Sequence, residues 1–510
     1  MNTPIYDFVK QYAELRPGRF HMPGHKGRGP LGCESLDITE IPGAESLFEA
    51  EGIIAESEAA ASALFGCPTF YSTEGSSHCI RAMLLLACRL CRGGAGGGSE
   101  PPAAGTGRFR ILAARNCHKS FLSAAALLDL DVCWLPPDGD SYLSANPTPE
   151  ELDRALEESG AAAVYLSCPD YLGKLPALRP LAERCHGRGA LLLVDNAHGA
   201  YLHFLRPSRH PMELGADLCC DSAHKTLPVL TGGAYLHLAE ELLSEETGCR
   251  AGMPRLCRRD VKEALALFGS SSPSYLTLQS LDLANPELEQ LPRRLAAFLP
   301  RVEAMKARLR AAGWQLIEDE PMKLTLDLRQ APRKKDAGTS AACLPPSCFL
   351  SGEALAAALE RVGIYCEFFD RDFLVMMLSP ENSEAELERL EAALKDLAGR
   401  SLASRAAEPC DGSASAADSG AEADVVIAHD RTKRREIRGS LPERVCSLRE
   451  ALLSPAEQVP AGESLGRVLA RPGVSCPPAV PILMPGERID LAALAAFSRY
   501  GIQTVSVLRP

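Results

Sequence analysis

The sequence lacks several features that mark whole classes of protein. Its 510 residues contain no run of about 20 apolar residues, which argues against a membrane-spanning helix. The start of the chain has no basic segment followed by an apolar run, so we expect no signal peptide. Acidic residues outnumber basic ones by 66 to 54, and the resulting net charge of −12 opposes non-specific binding to nucleic acid or to an anionic membrane.

The motifs of common metal and nucleotide sites are also missing. Cys88 and Cys91 form one CxxC, but no second pair stands at zinc-ribbon spacing and no HExxH occurs. The chain has neither a Walker A sequence nor a dinucleotide-binding fingerprint. Its 19 cysteines are odd in number and lie scattered through apolar runs, which indicates reduced, buried thiols. We therefore expect a cytoplasmic protein without a metal site.

Short apolar runs alternate with helical stretches over the first half of the chain. Five runs predict strands: ILAA (111–114), VCWL (132–135), AAVYLS (162–167), ALLLVD (190–195) and ADLCCD (216–221). Because these runs are continuously apolar, we expect a mostly parallel sheet covered by helices on both faces. Between two of them, Thr148 and Glu151 have the spacing of a capping box, which predicts the start of a helix.

Composition and pattern divide the chain into four parts. Residues 1–295 predict an N-terminal segment and a large α/β domain, and residues 296–400 predict a smaller α+β domain. Residues 401–436 are rich in Ala, Ser and Asp and poor in large apolar side chains, a composition typical of a flexible linker. Residues 437–510 regain helical and strand patterns and predict a C-terminal α+β domain.

Two strand ends carry side chains that suit one cofactor. Asp195 ends the run ALLLVD, and Lys225 follows the run ADLCCD in the segment SAHK. In open α/β sheets, ligands bind at the carboxyl ends of the strands. Pyridoxal phosphate needs a lysine amine, a carboxylate for its ring nitrogen, donors for its phosphate and a group packed on its ring. Lys225 and Asp195 supply the first two, although singly they also fit a surface charge and a helix cap.

The segment STEGSSHCIRAMLLLA (72–87) offers donors for a phosphate. Gly75, Ser76 and Ser77 lead into an apolar helix, so hydroxyls and free backbone N–H groups meet at its positive end. His118 follows the run ILAA, where the carboxyl end of a strand would place it on the cofactor face. An ordinary serine-capped helix and a loop histidine are the alternative interpretations.

Seven segments extend this pattern along the chain: FHMPGHKG, EGSS, RNCHKS, DNAHGA, SAHKTLPVLTGGA, GSSSPSYLTLQSLD and PPAVPILMPGE, which together span residues 20–487. In this order they resemble the Orn/Lys/Arg decarboxylase family of fold-type-I pyridoxal phosphate enzymes, in its shorter members without an N-terminal wing domain. The resemblance implies an α/β, aspartate-aminotransferase-like large domain with a mostly parallel sheet. It also implies small and C-terminal α+β domains and a homodimer or a dimer-based oligomer.

The resemblance implies a role for each matching residue. Lys225 would form the Schiff base with the cofactor, and Asp195 would face the pyridine nitrogen. His118 and Ala197 would lie against the two faces of the ring, with His198 near the phenolic oxygen. The phosphate would be bound by Gly75, Ser76, Ser77, Ser222 and His224. Ser271 would reach the phosphate of the neighbouring subunit, so that each site needs two chains; its plainer interpretation is a turn before Pro273.

Two carboxylates are predicted to bind the substrate. Glu487, in PGE, resembles a residue near the distal amine, because a long cation needs a carboxylate to offset its desolvation; a solvated Glu after a Pro-Gly turn fits equally. Glu367, in YCEFF, is a weaker candidate for the same role. The sequence departs from the family pattern at Asn196, where Glu is common, at Tyr201, where His is common, and at Glu74, where Asn is common.

The implied activity is the pyridoxal-phosphate-dependent decarboxylation of lysine, arginine or ornithine, which yields CO2 and an amine of the kind used in polyamine synthesis. Lys225 or His224 would return a proton to the α-carbon. Two alternatives stay open: another fold-type-I reaction, of the aminotransferase or aldolase type, and a non-catalytic paralogue that binds pyridoxal phosphate or partner chains. The sequence does not choose among the three amino acids.

Overall fold

The apolar runs of the first half of the chain form one seven-stranded sheet. The computed structural model describes residues 1–93, 108–137, 141–243, 249–250, 253–317, 319–330, 351–406, 441–473 and 478–510. The strands of the sheet are β1 (Thr69–Ser72), β2 (Arg110–Ala114), β3 (Asp131–Leu135), β4 (Ala163–Ser167), β5 (Leu191–Asp195), β6 (Leu218–Asp221) and β7 (Ala234–Leu238). Their order is β1-β7-β6-β5-β4-β2-β3; β2 to β6 are mutually parallel, and β7 and β1 add antiparallel pairs. All five predicted strands are confirmed.

Helices cover both faces of this sheet, as the continuous apolar strands require. The helices of this half are α1 (Pro4–Glu14), α2 (Ile53–Phe65), α3 (Gly75–Gly93), α4 (Lys119–Leu127), α5 (Pro149–Ser159), α6 (Leu178–Gly187), α7 (Ala223–Thr226), α8 (Arg258–Ala266) and α9 (Tyr275–Ala311). Along β5, Leu191 and Leu193 enter a core with α3, α4 and α8, whereas Leu192 and Val194 enter a core with α5 and α6. This alternation is the period of a strand that is buried on both faces.

Local sequence explains where several of these helices begin and end. The capping box at Thr148 and Glu151 is present and starts α5. Gly66 follows α2 with a left-handed backbone at φ +66°, a conformation that glycine adopts without strain. Short 3-10 helices lie between the main elements at Glu34–Leu36, Leu47–Glu49, Ala200–Phe204, Pro211–Leu214, Glu240–Leu242, Leu328–Gln330 and Ala461–Glu463.

The second half of the chain adds two smaller units. The first contains a four-stranded antiparallel sheet in the order β10-β11-β13-β12. Its elements are β10 (Leu316–Ile317), β11 (Lys323–Asp327), α10 (Gly352–Glu360), β12 (Phe368–Phe369), β13 (Phe373–Met377) and α11 (Glu384–Ala406). The second contains α12 (Leu448–Leu453), β14 (Ala456–Pro460), α13 (Leu491–Arg499) and β15 (Thr504–Leu508), and a separate two-stranded ladder joins β8 (Cys249–Arg250) to β9 (Met253–Pro254).

The three units share elements and contacts. Helix α9 is continuous across residue 295, where the sequence placed the first domain boundary, so one helix serves both units. Helix α11 continues to Ala406, into the predicted linker 401–436, whose remaining residues lie outside those described. The C-terminal unit inserts Leu448 and Met484 into the core beside α3 and α4. No helix in the described ranges is long and apolar enough to cross a membrane.

A buried ion pair fastens α2 to α8 and gives a stability prediction. Glu58 is fully buried and accepts hydrogen bonds from Lys262 Nζ at 2.6 Å and from the Tyr71 N–H at 2.9 Å. Replacing Glu58 with Ala leaves the buried Lys262 ammonium without this carboxylate. We therefore expect the free energy of unfolding to fall by about 3–5 kcal/mol in denaturant titrations. The exposed Glu56, on the same helix, is the control: its change to Ala is expected to alter the free energy of unfolding by less than about 0.5 kcal/mol.

Candidate active site

The carboxyl ends of β5 and β6 bring Asp195 and Lys225 together. The two strands are parallel neighbours, with Asp195 paired to Cys220, and the chain passes from β6 directly into α7, which carries Lys225. Burial raises the pKa of the Asp195 carboxyl, and the nearby Lys225 ammonium acts in the opposite direction. The two residues predicted to act on one cofactor are therefore close enough for the charge of Lys225 to lower the pKa of Asp195.

The Asp195 carboxylate is held by donors on several sides. Its Oδ2 accepts a hydrogen bond from the Tyr165 hydroxyl at 3.0 Å, and its Oδ1 accepts from the Ala197 N–H at 3.2 Å. The Cys220 thiol donates to Oδ1 at 3.7 Å. All of these contacts favour the ionised form. They fix the orientation of the carboxylate at the strand end.

The Lys225 amine faces a buried histidine. Its Nζ lies 3.0 Å from His198 Nε2. Burial, followed by the charge of Lys225, holds the pKa of His198 well below its usual range, so this imidazole is neutral. His198 Nδ1 is buried and has no hydrogen-bond partner among the described residues. Since an unpartnered buried polar atom is costly, this nitrogen is available to a bound molecule.

His118 lies at the start of α4 and is connected to helix α3 through hydrogen bonds of Ser120. Its Nδ1 accepts a hydrogen bond from the Ser120 N–H at 3.2 Å and lies 2.8 Å from the Ser120 hydroxyl. Ser120 Oγ donates in turn to Ser77 Oγ at 2.6 Å. The structure thus connects the predicted ring-packing histidine with one of the predicted phosphate-binding serines.

The protonation state of His118 is a testable property of the site. Burial, and next the Lys225 charge, lowers its pKa from 6.5 to about 4. In the protein without a bound ligand, we expect its imidazole NMR signals to stay constant between about pH 5.5 and 8. Because the unfolded chain takes up this proton near pH 6.5 and the folded chain near pH 4, the contribution of His118 to stability is lost as the pH falls through this interval. A titration midpoint near 6.5, with signals assigned from His118→Gln, would contradict the buried placement.

The residues predicted to bind a phosphate lie around the start of α3. Gly75 has φ +74°, and its N–H donates to the Gly232 carbonyl at 2.7 Å. Ser222 Oγ donates to Ser76 Oγ at 2.7 Å, and an added Cβ on Gly75 would stand 4.0 Å from His224 Cε1. Glycine, hydroxyls and imidazole therefore converge on the positive end of a 19-residue helix.

Glu74 is directed toward the loop before α9. Its Oε1 accepts a hydrogen bond from the Ser270 N–H at 2.6 Å. This contact occupies the carboxylate that departs from the family pattern next to the phosphate-binding glycine. The adjacent Ser271 is exposed on this single chain. Its predicted contact with a neighbouring subunit stays a prediction.

Glu367 approaches the site through a tyrosine that the sequence analysis missed. Its Oε1 accepts a hydrogen bond from the Tyr171 hydroxyl at 2.9 Å. The Tyr171 ring packs edge-on against His198, with 5.1 Å between the ring centroids. Lys323, from β11, donates to the Tyr171 carbonyl at 3.1 Å and lies 5.4 Å from the centre of its ring. The weaker of the two predicted substrate carboxylates is thus connected to His198 and Lys225.

Glu487 is placed differently, because both of its carboxylate oxygens face Arg115. The two hydrogen bonds measure 2.5 and 2.8 Å, and the side chains are only 2% and 6% exposed. The Met484 N–H donates to the same carboxylate at 2.9 Å. A guanidinium therefore already balances the charge that was predicted to meet a substrate amine.

A buried cluster of polar side chains surrounds Asp221, the last residue of β6. Asp221 Oδ2 faces His210 Nε2 at 3.1 Å and His237 Nε2 at 3.2 Å, and Asp221 Oδ1 accepts from Asn196 Nδ2 at 2.6 Å. Burial raises the pKa of Asp221, but the two histidines outweigh it and leave the pKa below its usual range. In the described residues, His210, Cys219 and Asp221 form the one group close enough to ligate a metal. Hydrogen bonds already join its members, and the expectation of no metal site stays a prediction.

Sequence reasoning missed several contributing residues, among them Ser120, Arg115, Tyr165, Tyr171 and Lys323. Ser120 and Arg115 lie within the RNCHKS segment, so their proximity to His118 was a signal that could have been used. Tyr171 follows the end of β4, the strand beside β5, which is a weaker signal. Lys323 comes from the other sheet and has no local signal.

Comparison with known proteins identifies the family of the chain. A sequence model described as "Orn/Lys/Arg decarboxylase, major domain" matches residues 3–325. An uncharacterised Bacillus subtilis protein, YaaO, is 28% identical over 526 residues, which cover 98% of this chain and 94% of that protein. Arginine decarboxylase of Bacillus subtilis is 27% identical over 505 residues, which cover 96% of this chain and 91% of that protein.

Solved structures agree in fold. Lysine decarboxylase A from Pseudomonas aeruginosa superimposes with a TM-score of 0.72, covering 99% of this chain and 80% of that chain. The sequence identity of the pair is 18%, so the likeness concerns the fold. It confirms the predicted α/β fold class with a large, mostly parallel sheet.

Proposed function

The chain belongs to the Orn/Lys/Arg decarboxylase family, and from this premise we propose that it removes the α-carboxyl group of a basic amino acid with pyridoxal phosphate as its cofactor. The observation that carries the proposal is the convergence of Lys225, Asp195, His118 and the start of α3 at one edge of the sheet. The predicted family and enzyme class are confirmed by the match over residues 3–325. The aminotransferase, aldolase and non-catalytic alternatives are disfavoured by the same match.

The phosphate side of the site fits the cofactor. The first N–H groups of a long helix, together with the hydroxyls of Ser76, Ser77 and Ser222, provide donors for a phosphate. His224 borders this group, and its Nδ1 lies 3.0 Å from the Gly233 carbonyl, so that nitrogen carries the proton. We propose that these residues, with Gly75, bind the phosphate.

The ring side of the site fits as well. Asp195 supplies a buried carboxylate for a ring nitrogen, and Lys225 supplies the amine that a cofactor aldehyde requires. His118 and Ala197 are proposed to lie against the two faces of the ring. His198, whose Nδ1 has no partner in the described part of the chain, is proposed to contact the phenolic oxygen.

The residues divide the chemistry among them. When bound, pyridoxal phosphate supplies an electron sink for the charge left at the α-carbon as CO2 departs. Asp195 holds a proton on the ring nitrogen, because a buried carboxylate stabilises an adjacent cation. His118 stays neutral and adds no competing charge. Lys225 or His224 is proposed to deliver a proton to the α-carbon, since both follow the end of β6.

We propose that Glu367 binds the distal cation of the substrate. It is half-buried, it faces the site through Tyr171, and its charge acts on the nearby Lys323, to which no hydrogen bond joins it in the described residues. A carboxylate in such a place offsets the desolvation of an ammonium or a guanidinium. Glu487, in contrast, shares its charge with Arg115.

The proposed activity is tested by incubating the cofactor-loaded protein with arginine, lysine and ornithine and identifying the products by mass. We expect CO2 and the amine that corresponds to one of the three. Arginine comes first, because relatives that match almost the whole chain are named arginine decarboxylase. Keto-acid formation would indicate an aminotransferase. A cofactor spectrum without turnover on any of the three would indicate a non-catalytic protein.

Glu367→Gln tests the substrate contact. Loss of one charged hydrogen bond is expected to raise KM for the preferred amino acid about tenfold, with little change in kcat. The control is Glu360→Gln, an exposed position in the same unit, which should leave both constants unchanged. An unaltered KM in Glu367→Gln would remove this residue from the substrate site.

We also propose a cytoplasmic homodimer in which Ser271 reaches the phosphate site of the partner. The described cysteines are free thiols, which supports a reducing compartment. Ser271 is exposed on the single chain, as a contact between subunits requires. Sedimentation combined with activity at several protein concentrations tests the proposal. A monomer that works at the full rate would contradict a shared site.

A further inference from the structure

The C-terminal unit contacts the loop between β2 and α4, which carries His118, at two positions. The first is the ion pair between Glu487 and Arg115, in which two parallel hydrogen bonds fix the guanidinium in a nearly dry environment. Arg115 directly follows the last residue of β2, three positions before His118. This contact therefore anchors the loop on the strand side of the histidine.

The second point is a backbone hydrogen bond on the other side of His118. The Lys119 N–H donates to the Ala479 carbonyl at 2.8 Å. Lys119 is the first residue of α4, and the first N–H groups of a helix have no acceptor within that helix. The C-terminal unit supplies the missing acceptor. His118 is thus the residue between two anchored positions.

The same histidine is also anchored by the Ser120 hydroxyl, which lies 2.8 Å from its Nδ1 and donates to the Ser77 hydroxyl on α3. Its orientation therefore depends on contacts from two separate parts of the chain. Arg115 gains further support from Trp134, whose ring centre lies 5.9 Å from the guanidinium.

The charge balance argues against a substrate contact at Glu487. Both of its oxygens already face a guanidinium in bidentate geometry, and the carboxylate is 2% exposed. A substrate cation would have to displace Arg115 or add a second positive charge to a pair that is already neutral. Neither is needed for the pair to position the loop.

We infer that Glu487 is a positioning residue: through Arg115, and together with the Ala479 carbonyl, it holds His118 in place for the cofactor ring. The inference rests on the proposed function only in taking pyridoxal phosphate as the ligand. The C-terminal unit thereby completes the cofactor site without touching the substrate.

Cofactor affinity separates this role from a substrate contact. Apo-protein is titrated with pyridoxal phosphate and followed by its visible absorbance. We expect Glu487→Gln and Arg115→Lys each to weaken binding about tenfold, because the packing of His118 on the ring is lost, and to change KM for the amino acid less than about twofold. If Glu487 instead binds the substrate, Glu487→Gln raises KM and leaves cofactor affinity unchanged. Arg115→Lys, which loosens the hold on the carboxylate, then does not raise KM.

A second pair of variants keeps the test decisive if the ion-pair variants unfold. Lys119→Pro removes the lysine side chain together with the N–H that meets Ala479, at a helix position where proline is favoured. His118 has φ −65° and ψ 147°, a conformation that a following proline accepts. Lys119→Ala removes the same side chain and keeps the N–H. We expect the proline variant to bind pyridoxal phosphate several-fold more weakly than the alanine variant.

Controls separate the possible failures. Glu443→Gln breaks an exposed ion pair with Arg488 in the same unit and should leave cofactor affinity unchanged. Equal affinities in Lys119→Pro and Lys119→Ala overturn the inference. If the unmodified chain binds no pyridoxal phosphate, the proposed function itself fails. If it binds and every variant binds equally well, only the role of Glu487 is lost.

Discussion

Replacing Lys225 with Ala is expected to abolish CO2 release, with a loss of more than about 10⁴-fold, together with the visible absorbance of bound cofactor. The reason is that the Lys225 amine, which lies 3.0 Å from His198 Nε2 and lowers the pKa of Asp195 by its charge, is the proposed nucleophile. Steady-state assays and absorption spectra of the purified variant measure both losses.

Two further variants define what Lys225 contributes. Lys225→Arg keeps the positive charge but loses the nucleophilic amine, so it is expected to be as inactive as the alanine variant. Lys395→Ala, on the exposed face of α11, makes the same substitution elsewhere and should change nothing measurable. Turnover and a normal spectrum in Lys225→Ala would refute the assignment of the amine.

Replacing Asp195 with Asn is expected to lower kcat about 10²- to 10³-fold while pyridoxal phosphate still binds. The amide keeps the shape of the side chain but removes the charge that is proposed to hold a proton on the ring nitrogen. The residues proposed to bind the phosphate, around Gly75 and Ser222, are unchanged in this variant. Rates and cofactor affinity are measured on the same preparation.

Tyr165→Phe gives a graded comparison for Asp195. It removes one hydrogen bond, of 3.0 Å, and leaves the carboxylate in place, so a loss of about tenfold or less is expected. The order of rates should therefore be the unmodified chain, then Tyr165→Phe, then Asp195→Asn. An Asp195→Asn variant as active as the unmodified chain would show that this carboxylate does not act on the ring.

Much of the large unit could be predicted from local sequence. The strands were found because continuous apolar runs identify buried parallel strands, and the capping box marked a helix start. The parallel pairing of β5 with β6 then brings Asp195 and Lys225 to one edge, which is why two separate segments predicted a single site. The resemblance to a known family added the roles predicted for Ala197, His198, Ser222, His224 and Ser271.

The substrate carboxylates could not be ranked from sequence, because their partners are distant along the chain. Glu487 was considered first, yet its charge is matched by Arg115, which precedes it by 372 positions. Glu367 was the weaker candidate, and its link to the site depends on Tyr171, 196 positions away. Such pairings arise when separate units pack together, and no local pattern encodes them.

The most direct measurement is reduction of the holoenzyme with borohydride, followed by peptide mapping of the labelled lysine. We predict that the cofactor label lies on Lys225 alone. Lys323 is the informative competitor. It lies beside Tyr171, and burial lowers the pKa of its amine to about 8, so it is a second amine that could react. Label on Lys323, or on any other amine, would contradict the central claim and the roles assigned to Asp195 and His118 with it.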